Sequence, residues 1–377
     1  MRFYGITGTN GKTTTAWVLA EFLKAAYITT VEVNTLRRRF YSGYTTPPLK
    51  SLREIYAEME AAGARDCVME VSSHAIAQNR VGFGADTVFS GGAFTNISED
   101  HLDYHKTMEA YFQVKLDFAR QVARCGEILG AIPPFAVCLD GDGGARMLDE
   151  VRKLRLNVLP VTIREPRFDL SALQLAGDYN KSNVLLAATL AEAAGAAHDD
   201  IQRMIPALRP RWGRLEKVAN PDCRGEAYVD FAHTPDGIAK VLKAARGFTR
   251  GRLWIVFGAG GDRDPMKRPL MGEAAAGGAD RLVVTSDNPR SEDPERIIDA
   301  ILEGVRHARP GLDGVTRLAD RAAAIDFALA GAAPGDVVLI CGKGHETTQE
   351  IAGVKHPFDD RDVVRRWRRP MAKNSVE

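Results

Sequence analysis

Gly5-Ile6-Thr7-Gly8-Thr9-Asn10-Gly11-Lys12-Thr13-Thr14-Thr15 decides the fold. Ahead of it, Phe3-Tyr4 is a short apolar run that reads as a strand end. Behind it, Ala16, Trp17, Val18, Leu19, Ala20, Phe22 and Leu23 recur at helical spacing. Strand, glycine-rich turn and helix in that order make a phosphate cradle. Glycines let backbone N–H groups turn inward, and the helix start adds the positive end of its dipole. Lys12 is the expected cation for the outer phosphates and Thr13 the expected hydroxyl for Mg²⁺. Gly8, Thr9, Asn10, Gly11 and Thr14 complete the expected nucleotide-binding set. The common pattern wants a glycine five residues before Gly11. Ile6 stands there and Gly5 lies one place further out, so this loop is a variant.

The rest of the composition sets bounds. A chain of 377 residues suggests two or three domains. Fifty basic residues against 49 acidic ones leave no strong field for nucleic acid or a membrane surface. Cys67, Cys125, Cys138, Cys223 and Cys341 show no pair spacing, which argues for free thiols in a reducing compartment and against zinc. No signal peptide and no membrane-length apolar run are visible, so a cytoplasmic protein is expected. The phosphate strand starts at the first residues, which leaves no folded domain expected before it.

Further along, Arg37-Arg38-Arg39 reads as a solvated turn, and Thr45-Thr46-Pro47-Pro48 as an extended turn before a helix from about Leu49 to Ala62. Cys67-Val68-Met69-Glu70-Val71 is an apolar strand holding one acid. A carboxylate there is costly unless it is paired or near a metal, and beside a phosphate loop it can reach Mg²⁺. Thr87-Val88-Phe89 is the next expected strand, followed by a polar segment from Phe94 to His105. Lys115 lies on an amphipathic helix with Tyr111, Phe112, Val114, Leu116 and Phe118, where a lysine is ordinarily a surface residue. Asn180 and Asn183 open a helix, and Asn180 reads equally as a cap or as an adenine contact. A break at Arg209-Pro210 divides the chain into 1–208 and 209–377. Strands at 227–230, 253–257, 281–285 and 336–340 alternate with helices in the second part. That predicts an open parallel sheet with ligands beyond the strand C-termini. The lone Gly258-Ala259-Gly260-Gly261 is a weak dinucleotide signal.

Eleven ordered stretches resemble the Mur ligases, and most closely the MurE branch that adds the third residue of the peptidoglycan stem peptide. They are GTNGKTTT (8–15), YTTPP (44–48), VMEVSSHAIAQNRV (68–81), FTNISEDHLDYHKTMEAYFQVK (94–115), GDYNKSN (177–183), GRLEKV (213–218), VDFAHTPD (229–236), VFGAGGDRDPMKRPLMG (256–272), SDNPRSEDPERI (286–297), GKGHETTQ (342–349) and FDDRD (358–362). The resemblance covers nearly the whole chain. It implies a P-loop ATPase-like parallel-sheet domain and a Rossmann-like α/β domain. Two departures stand out. The family's N-terminal uridine-binding domain has no counterpart ahead of the loop, and 125–175 looks short.

By resemblance, Lys115 occupies the place of a carbamylated lysine. With Thr13, Glu70 and His101 it would hold two Mg²⁺ ions that offset the charge gathered in the acyl-phosphate step. Lys12, Glu70, His101 and Lys115 would carry the chemistry. Asn96, Asn183, Arg214, Asp230, His233 and Lys267 match ATP contacts. Thr45, Thr46, Ser72, Ser73 and Arg80 match positions that touch the muramoyl-peptide acceptor. Arg263, Asp287, Asn288, Arg290, Gly342 and Glu346 match the pocket for the incoming amino acid. A guanidinium fork suits a carboxylate, and Glu346 opposite would suit a distal ammonium. Asp287-Asn288-Pro289-Arg290 is the form of the meso-diaminopimelate-adding enzymes, and the lysine-adding ones lack that arginine.

The expected activity is ATP-dependent amide formation without a side-chain nucleophile, on small-molecule substrates, by a monomer or weak oligomer whose domains close over the reactants. Three rivals stay open: a related ligase for a smaller nucleotide-free acyl substrate, a non-catalytic ATP-binding partner of another Mur enzyme, and a plain ATPase, which would leave the paired-arginine pocket unexplained.

Overall fold

A computed structural model describes residues 1–369. The chain divides into two compact units, Met1–Arg209 and Pro210–Glu377. No helix among the described residues is long and apolar enough to cross a membrane.

In the first unit, β1 (Arg2–Thr7) enters the phosphate loop and α1 (Lys12–Leu23) leaves it. There follow β2 (Ala26–Ile28), β3 (Val33–Asn34), β4 (Arg39–Phe40), α2 (Leu49–Ala61), β5 (Asp66–Glu70) and α3 (Ser73–Ala77). After these come β6 (Phe89–Phe94), α4 (Leu102–His105), α5 (Met108–Leu129), β7 (Pro134–Cys138), α6 (Gly144–Val151), β8 (Asn157–Val161), α7 (Asp178–Ala193) and α8 (His198–Met204). The eight strands form one sheet in the order β4-β3-β2-β5-β1-β6-β7-β8. From β2 to β8 the neighbours are parallel, and β1 and β5 are buried along almost their whole length. That fits apolar runs covered on both faces.

The basic run is exposed, as expected, and Arg37 and Arg38 make the turn from β3 to β4, which Arg39 begins; β2, β3 and β4 form an antiparallel edge. Two sequence expectations change here. The strand expected at 87–89 instead starts at Phe89 and runs through Gly91-Gly92 to Phe94. A glycine pair normally weakens a strand, but here the rings of Phe118 and Phe135 press on Gly92, and a Cβ would sit about 3 Å from both. Lastly, the residue before α7 is Gly177, so neither asparagine caps it. Asn180 Nδ2 donates to Ala176 O at 2.8 Å.

In α5, Thr107 caps the start by accepting from Ala110 N at 3.1 Å, and Gly130 ends it in the left-handed region. Its buried stripe includes Tyr111, Phe112, Lys115, Leu116, Phe118, Ala119 and Val122, so Lys115 faces inward.

The second unit contains β9 (Glu216–Val218), β10 (Glu226–Asp230), α9 (Pro235–Arg246), β11 (Leu253–Phe257), α10 (Lys267–Gly278), β12 (Arg281–Val284), α11 (Pro294–Ala308) and β13 (Val315–Arg317). It continues with α12 (Arg321–Gly331), β14 (Val337–Cys341), a hairpin of β15 (Thr348–Ile351) and β16 (Val354–Pro357), and α13 (Asp360–Arg366). The sheet order is β13-β12-β11-β14-β10-β9. It is parallel except for β9, an antiparallel edge strand. Val229, Trp254, Val256, Val338 and Ile340 pack with Ile325 and Leu329 of α12 into one core. The loops carrying the amino-acid-pocket motifs all leave C-terminal strand ends of this sheet.

Candidate active site

The phosphate loop is shaped by partners distant in sequence. Gly8 and Gly11 take φ values of 147° and 85°, which L side chains rarely adopt. A Cβ on Gly11 would overlap Asn183 Oδ1, and Thr15 Oγ1 donates to that same oxygen at 3.3 Å. Asn183 therefore buttresses the back of the loop. Asn96 clasps Asn10 twice: it accepts from the backbone N–H at 3.0 Å and donates to the carbonyl at 3.1 Å. Thr9 N–H donates to Asn96 O at 2.9 Å, and Thr95 Oγ1 donates to Asn10 O at 2.6 Å. Lys12 Nζ donates to Gly8 O and Thr9 O at 3.0 and 2.7 Å. Thr13 is buried and Thr14 half-buried in the first turn of α1.

Beside this loop, β5 ends at Glu70, which lies opposite Ile6 of β1 and is buried. Its carboxylate accepts from Thr30 N at 2.7 Å and Thr30 Oγ1 at 3.1 Å. Thr46 Oγ1 donates to Glu70 O at 2.8 Å and accepts from Ser72 N at 3.1 Å. Thr45 Oγ1 lies 3.0 Å from Thr30 Oγ1, whose own hydrogen goes to Glu70, and Arg80 reaches Thr46 O at 3.4 Å. Ser73 Oγ lies 2.9 Å from His105 Nε2. The five residues matched to the acceptor thus gather with Glu70 at one strand end.

Burial changes the chemistry of Lys115. Its side chain is 1 % exposed, and its Nζ stands 4.3 Å over the Tyr111 ring. Desolvation, with Lys12 nearby, pulls the amine well below its ordinary pKa, and Asp100 only partly opposes this. A neutral buried amine is a nucleophile rather than a cation. His101, at φ 56°, lies 3.4 Å from Asp100 and 5.0 Å, ring to ring, from His74. Packing, then Lys12, His74 and Lys115, hold its imidazole down to about 4 against Asp100, although close to half its side chain meets solvent. Lys12, Asp100, His101, Tyr111 and Lys115 thus form one group. Glu70 ends the neighbouring strand β5, and among the described residues no cluster of three or more His, Cys, Asp or Glu side chains is set to hold a metal.

In the second unit, Asp230 at the end of β10 is buried. It accepts from Leu215 N at 2.6 Å and Ala232 N at 2.7 Å. Burial raises its pKa, and Arg214 opposes that rise. The Arg214 guanidinium lies 4.7 Å over the Phe231 ring, which also packs on His233 and His345. Desolvation, with Arg214 and Arg361 close by, holds His345 down to about 3. His233 Nδ1 lies 2.9 Å from Phe231 O. Lys267 opens α10, half-buried.

The loops after β11, β12 and β14 make the other cluster. Arg290, at φ 53°, donates from NH1 to Gly261 O at 2.7 Å, and Arg263 donates to Asp262 O at 3.1 Å. Asn288 Nδ2 donates to Glu346 Oε2 at 2.8 Å. Glu350 N donates to Asn288 Oδ1 at 3.0 Å, while Arg290 N donates to Glu350 O at 3.0 Å. Strand β15 therefore fixes the spacing of Asn288 and Arg290. Asp287 is buried, with its Oδ2 against Gly342, which takes φ 113°.

Two sequence-family models match this chain: the Mur ligase middle domain over residues 6–166, and the Mur ligase glutamate ligase domain over 213–344. A Synechococcus elongatus protein named UDP-N-acetylmuramoyl-L-alanyl-D-glutamate--2,6-diaminopimelate ligase is 41% identical, over 97% of this chain and 76% of that protein. The chain belongs to the Mur ligase family. An Aquifex aeolicus protein of the same name is 38% identical, over 96% of this chain and 76% of its own length. A solved structure bearing that ligase name matches at TM-score 0.60 and 31% identity, over 97% of this chain and 77% of that one. The Mycobacterium tuberculosis folylpolyglutamate synthase, at TM-score 0.61 and 19% identity over 90% of this chain and 88% of that one, shares the fold. Membership makes the chain an ATP-dependent, ADP-forming peptide ligase.

Sequence reading of this Mur ligase passed over four supports. Thr30 orders Glu70, and Tyr111 shares a 3.1 Å hydrogen bond with Thr9 while backing Lys115. Arg321 and Asp360 form a fully buried pair. Lys343 is buried beside Asn288 and Glu346. Lys343 carried a signal as the charged residue between two glycines of 342–344, and Tyr111 and Asp360 stood within quoted stretches without their partners being readable.

Proposed function

We propose that this Mur ligase adds meso-diaminopimelate to a UDP-N-acetylmuramoyl-L-alanyl-D-glutamate acceptor in cytoplasmic cell-wall synthesis. The relatives' names support it, but one observation carries it: Arg290 and Glu346 belong to the same cluster, joined through Asn288 and β15. Arg290 would bind the distal carboxylate, with Arg263 in support, and Glu346 the distal ammonium. Asp287 and Gly342 shape the wall. An amino acid with both distal groups satisfies both charges, and lysine satisfies only one.

The first unit would supply the activation. The loop amides from Gly8 to Thr14 and Lys12 bind the triphosphate, Asn96 and Asn183 hold that loop in shape, and the acceptor carboxylate meets Thr45, Thr46, Ser72, Ser73 and Arg80. In the second unit Arg214, His233 and Lys267 offer positive or hydrogen-bonding groups to nucleotide, with Asp230 holding their loop. The carboxylate takes the γ-phosphoryl group to give an acyl phosphate. The amine then attacks its carbonyl, and phosphate leaves from the tetrahedral intermediate.

Magnesium fits the residues present. Glu70 and the Thr13 hydroxyl are hard oxygen donors, and His101 is held neutral. Lys115 is a buried amine whose charge Asp100 only partly offsets. Reaction of that amine with CO₂ gives a carbamate, an additional carboxylate-like ligand. Bound there, two Mg²⁺ ions would offset the repulsion among the gathered phosphate and carboxylate oxygens.

A phosphate-release screen tests the proposal, with amino acids crossed against muramoyl dipeptide with and without its uridine diphosphate. Release should require both substrates and be fastest with meso-diaminopimelate. Equal or better use of an amino acid lacking a second carboxylate would overturn the amine assignment.

A further inference from the structure

We infer that Lys343 is a positioning residue that orients Asn288 and Glu346 for the incoming amino acid. The inference rests on the reading of that cluster as the amine pocket.

Lys343 lies between Gly342 and Gly344, which take φ values of 113° and 55°. That backbone turns the lysine inward, and its side chain is 0% exposed. A lysine buried to this degree requires partners for its ammonium. It has two. Nζ donates to Glu346 Oε2 at 2.7 Å and to Asn288 Oδ1 at 3.1 Å. Asn288 Nδ2 closes the triangle by donating to the same Glu346 oxygen at 2.8 Å.

The triangle has two chemical consequences. Asn288 Oδ1 accepts from both Lys343 and Glu350 N, so the amide can lie only one way round, with its donor nitrogen toward Glu346. Glu346 Oε2 is occupied by two donors, which leaves Oε1 as the acceptor for an ammonium. Glu346 keeps 31% of its side chain exposed while its anchor is fully buried. Lys343 itself lies beneath these two side chains, so it acts through them. Two independent strand ends, after β12 and after β14, are thereby locked in one register.

The test is a kinetic comparison of Lys343→Met with the unmodified full chain, reading KM for the amine, KM for ATP and kcat separately. Loss of a charge-assisted hydrogen bond should raise KM for the amine about 10- to 100-fold. KM for ATP should stay within about twofold, because its groups lie on other loops. An amine KM within about twofold of the unmodified chain would overturn the inference, as would an equal rise for ATP. Should Lys343→Met fold poorly, Lys343→Leu, equally without a donor, serves the same comparison. A cycle with Glu346→Gln provides the second measurement. If Lys343 acts through Glu346, adding Lys343→Met to Glu346→Gln should change the amine KM less than about threefold. Multiplying effects would show a general structural role and refute positioning. If the unmodified chain ignores meso-diaminopimelate, the amine assignment has failed. The same comparison, run with whichever amine the screen returns, still decides the role of Lys343.

Discussion

Asp360→Ala should destabilise the second unit far more than any surface substitution. Asp360 and Arg321 are each fully buried. The Arg321 guanidinium donates from Nε to Asp360 Oδ1 and from NH2 to Asp360 Oδ2, both at 2.7 Å. It also donates to Ser286 O at 3.2 Å and Cys341 O at 2.9 Å. Burial alone would lower the guanidinium pKa, and the Asp360 charge and hydrogen bonds more than reverse that. Removing Asp360 leaves a cation in the core with two carbonyls and the weaker pull of Asp287, which costs about 3–5 kcal/mol. For a unit of this size that corresponds to a melting shift of roughly 6–20 °C. Thermal and urea unfolding at pH 7 give the value, and 0.5 M added salt should change it little because the pair is buried. The double variant Arg321→Met/Asp360→Leu should recover a large part of the loss, since it removes the charge that Asp360→Ala strands. A melting shift under about 2 °C for Asp360→Ala, or a double variant worse than the single one, would refute the reasoning. The carbonyls of Ser286 and Cys341 directly precede Asp287 and Gly342, so the amine KM should also rise in Asp360→Ala.

Other outcomes follow from the same distances. Lys115→Ala should abolish turnover in the phosphate-release assay, with partial return on adding a small carboxylate but not bicarbonate; full activity would exclude a ligand role. Lys12→Ala should remove turnover while stability moves by about 0.5–1 kcal/mol at most, checked by melting beside activity. Arg290→Ala should erase most of an expected 30- to 1000-fold preference for meso-diaminopimelate over lysine, which is about 2–4 kcal/mol of charged contact, by harming the former. Asp336 is held below its ordinary pKa: burial raises it, but bonds from Arg252 N, Ala333 N and Trp254 Nε1 outweigh that. A depressed folded pKa stabilises above the unfolded value of about 3.8 and is lost as pH falls below it, so Asp336→Asn should cost stability at pH 7 and progressively less toward pH 3.

The sequence made the strands of the second unit and the loop–helix start of the first legible, because 253–257 and 337–341 are unbroken apolar runs and glycine brackets the loop. It was silent where tertiary packing overrides local preference. The strand expected at 87–89 lies instead at 89–94, through Gly91-Gly92, where aromatic rings from α5 and β7 need the space. Arg39 reads as solvated charge, yet its backbone joins an edge hairpin. For the candidate site, residue types marked Lys12, Glu70 and Arg290, but not that Asn183 would support the loop from behind. Lys115 shows the limit clearly. Its helix position is readable from spacing, but its inward face and altered basicity exist only once Tyr111 and Phe112 have packed.

The bonds from Thr9 and Asn10 to residues 96–98, and from Thr15 to Asn183, span separations of 86 to 168 positions. A nascent chain that has emerged only as far as α2 therefore owns the phosphate motif without its shape. The cradle closes after synthesis has passed β6 and then α7, when most of the first unit is already out. Nucleotide accordingly enters late, as a ligand that selects finished molecules rather than a template around which early segments assemble. Nucleotide affinity is then a readout of whether the whole first unit has matured.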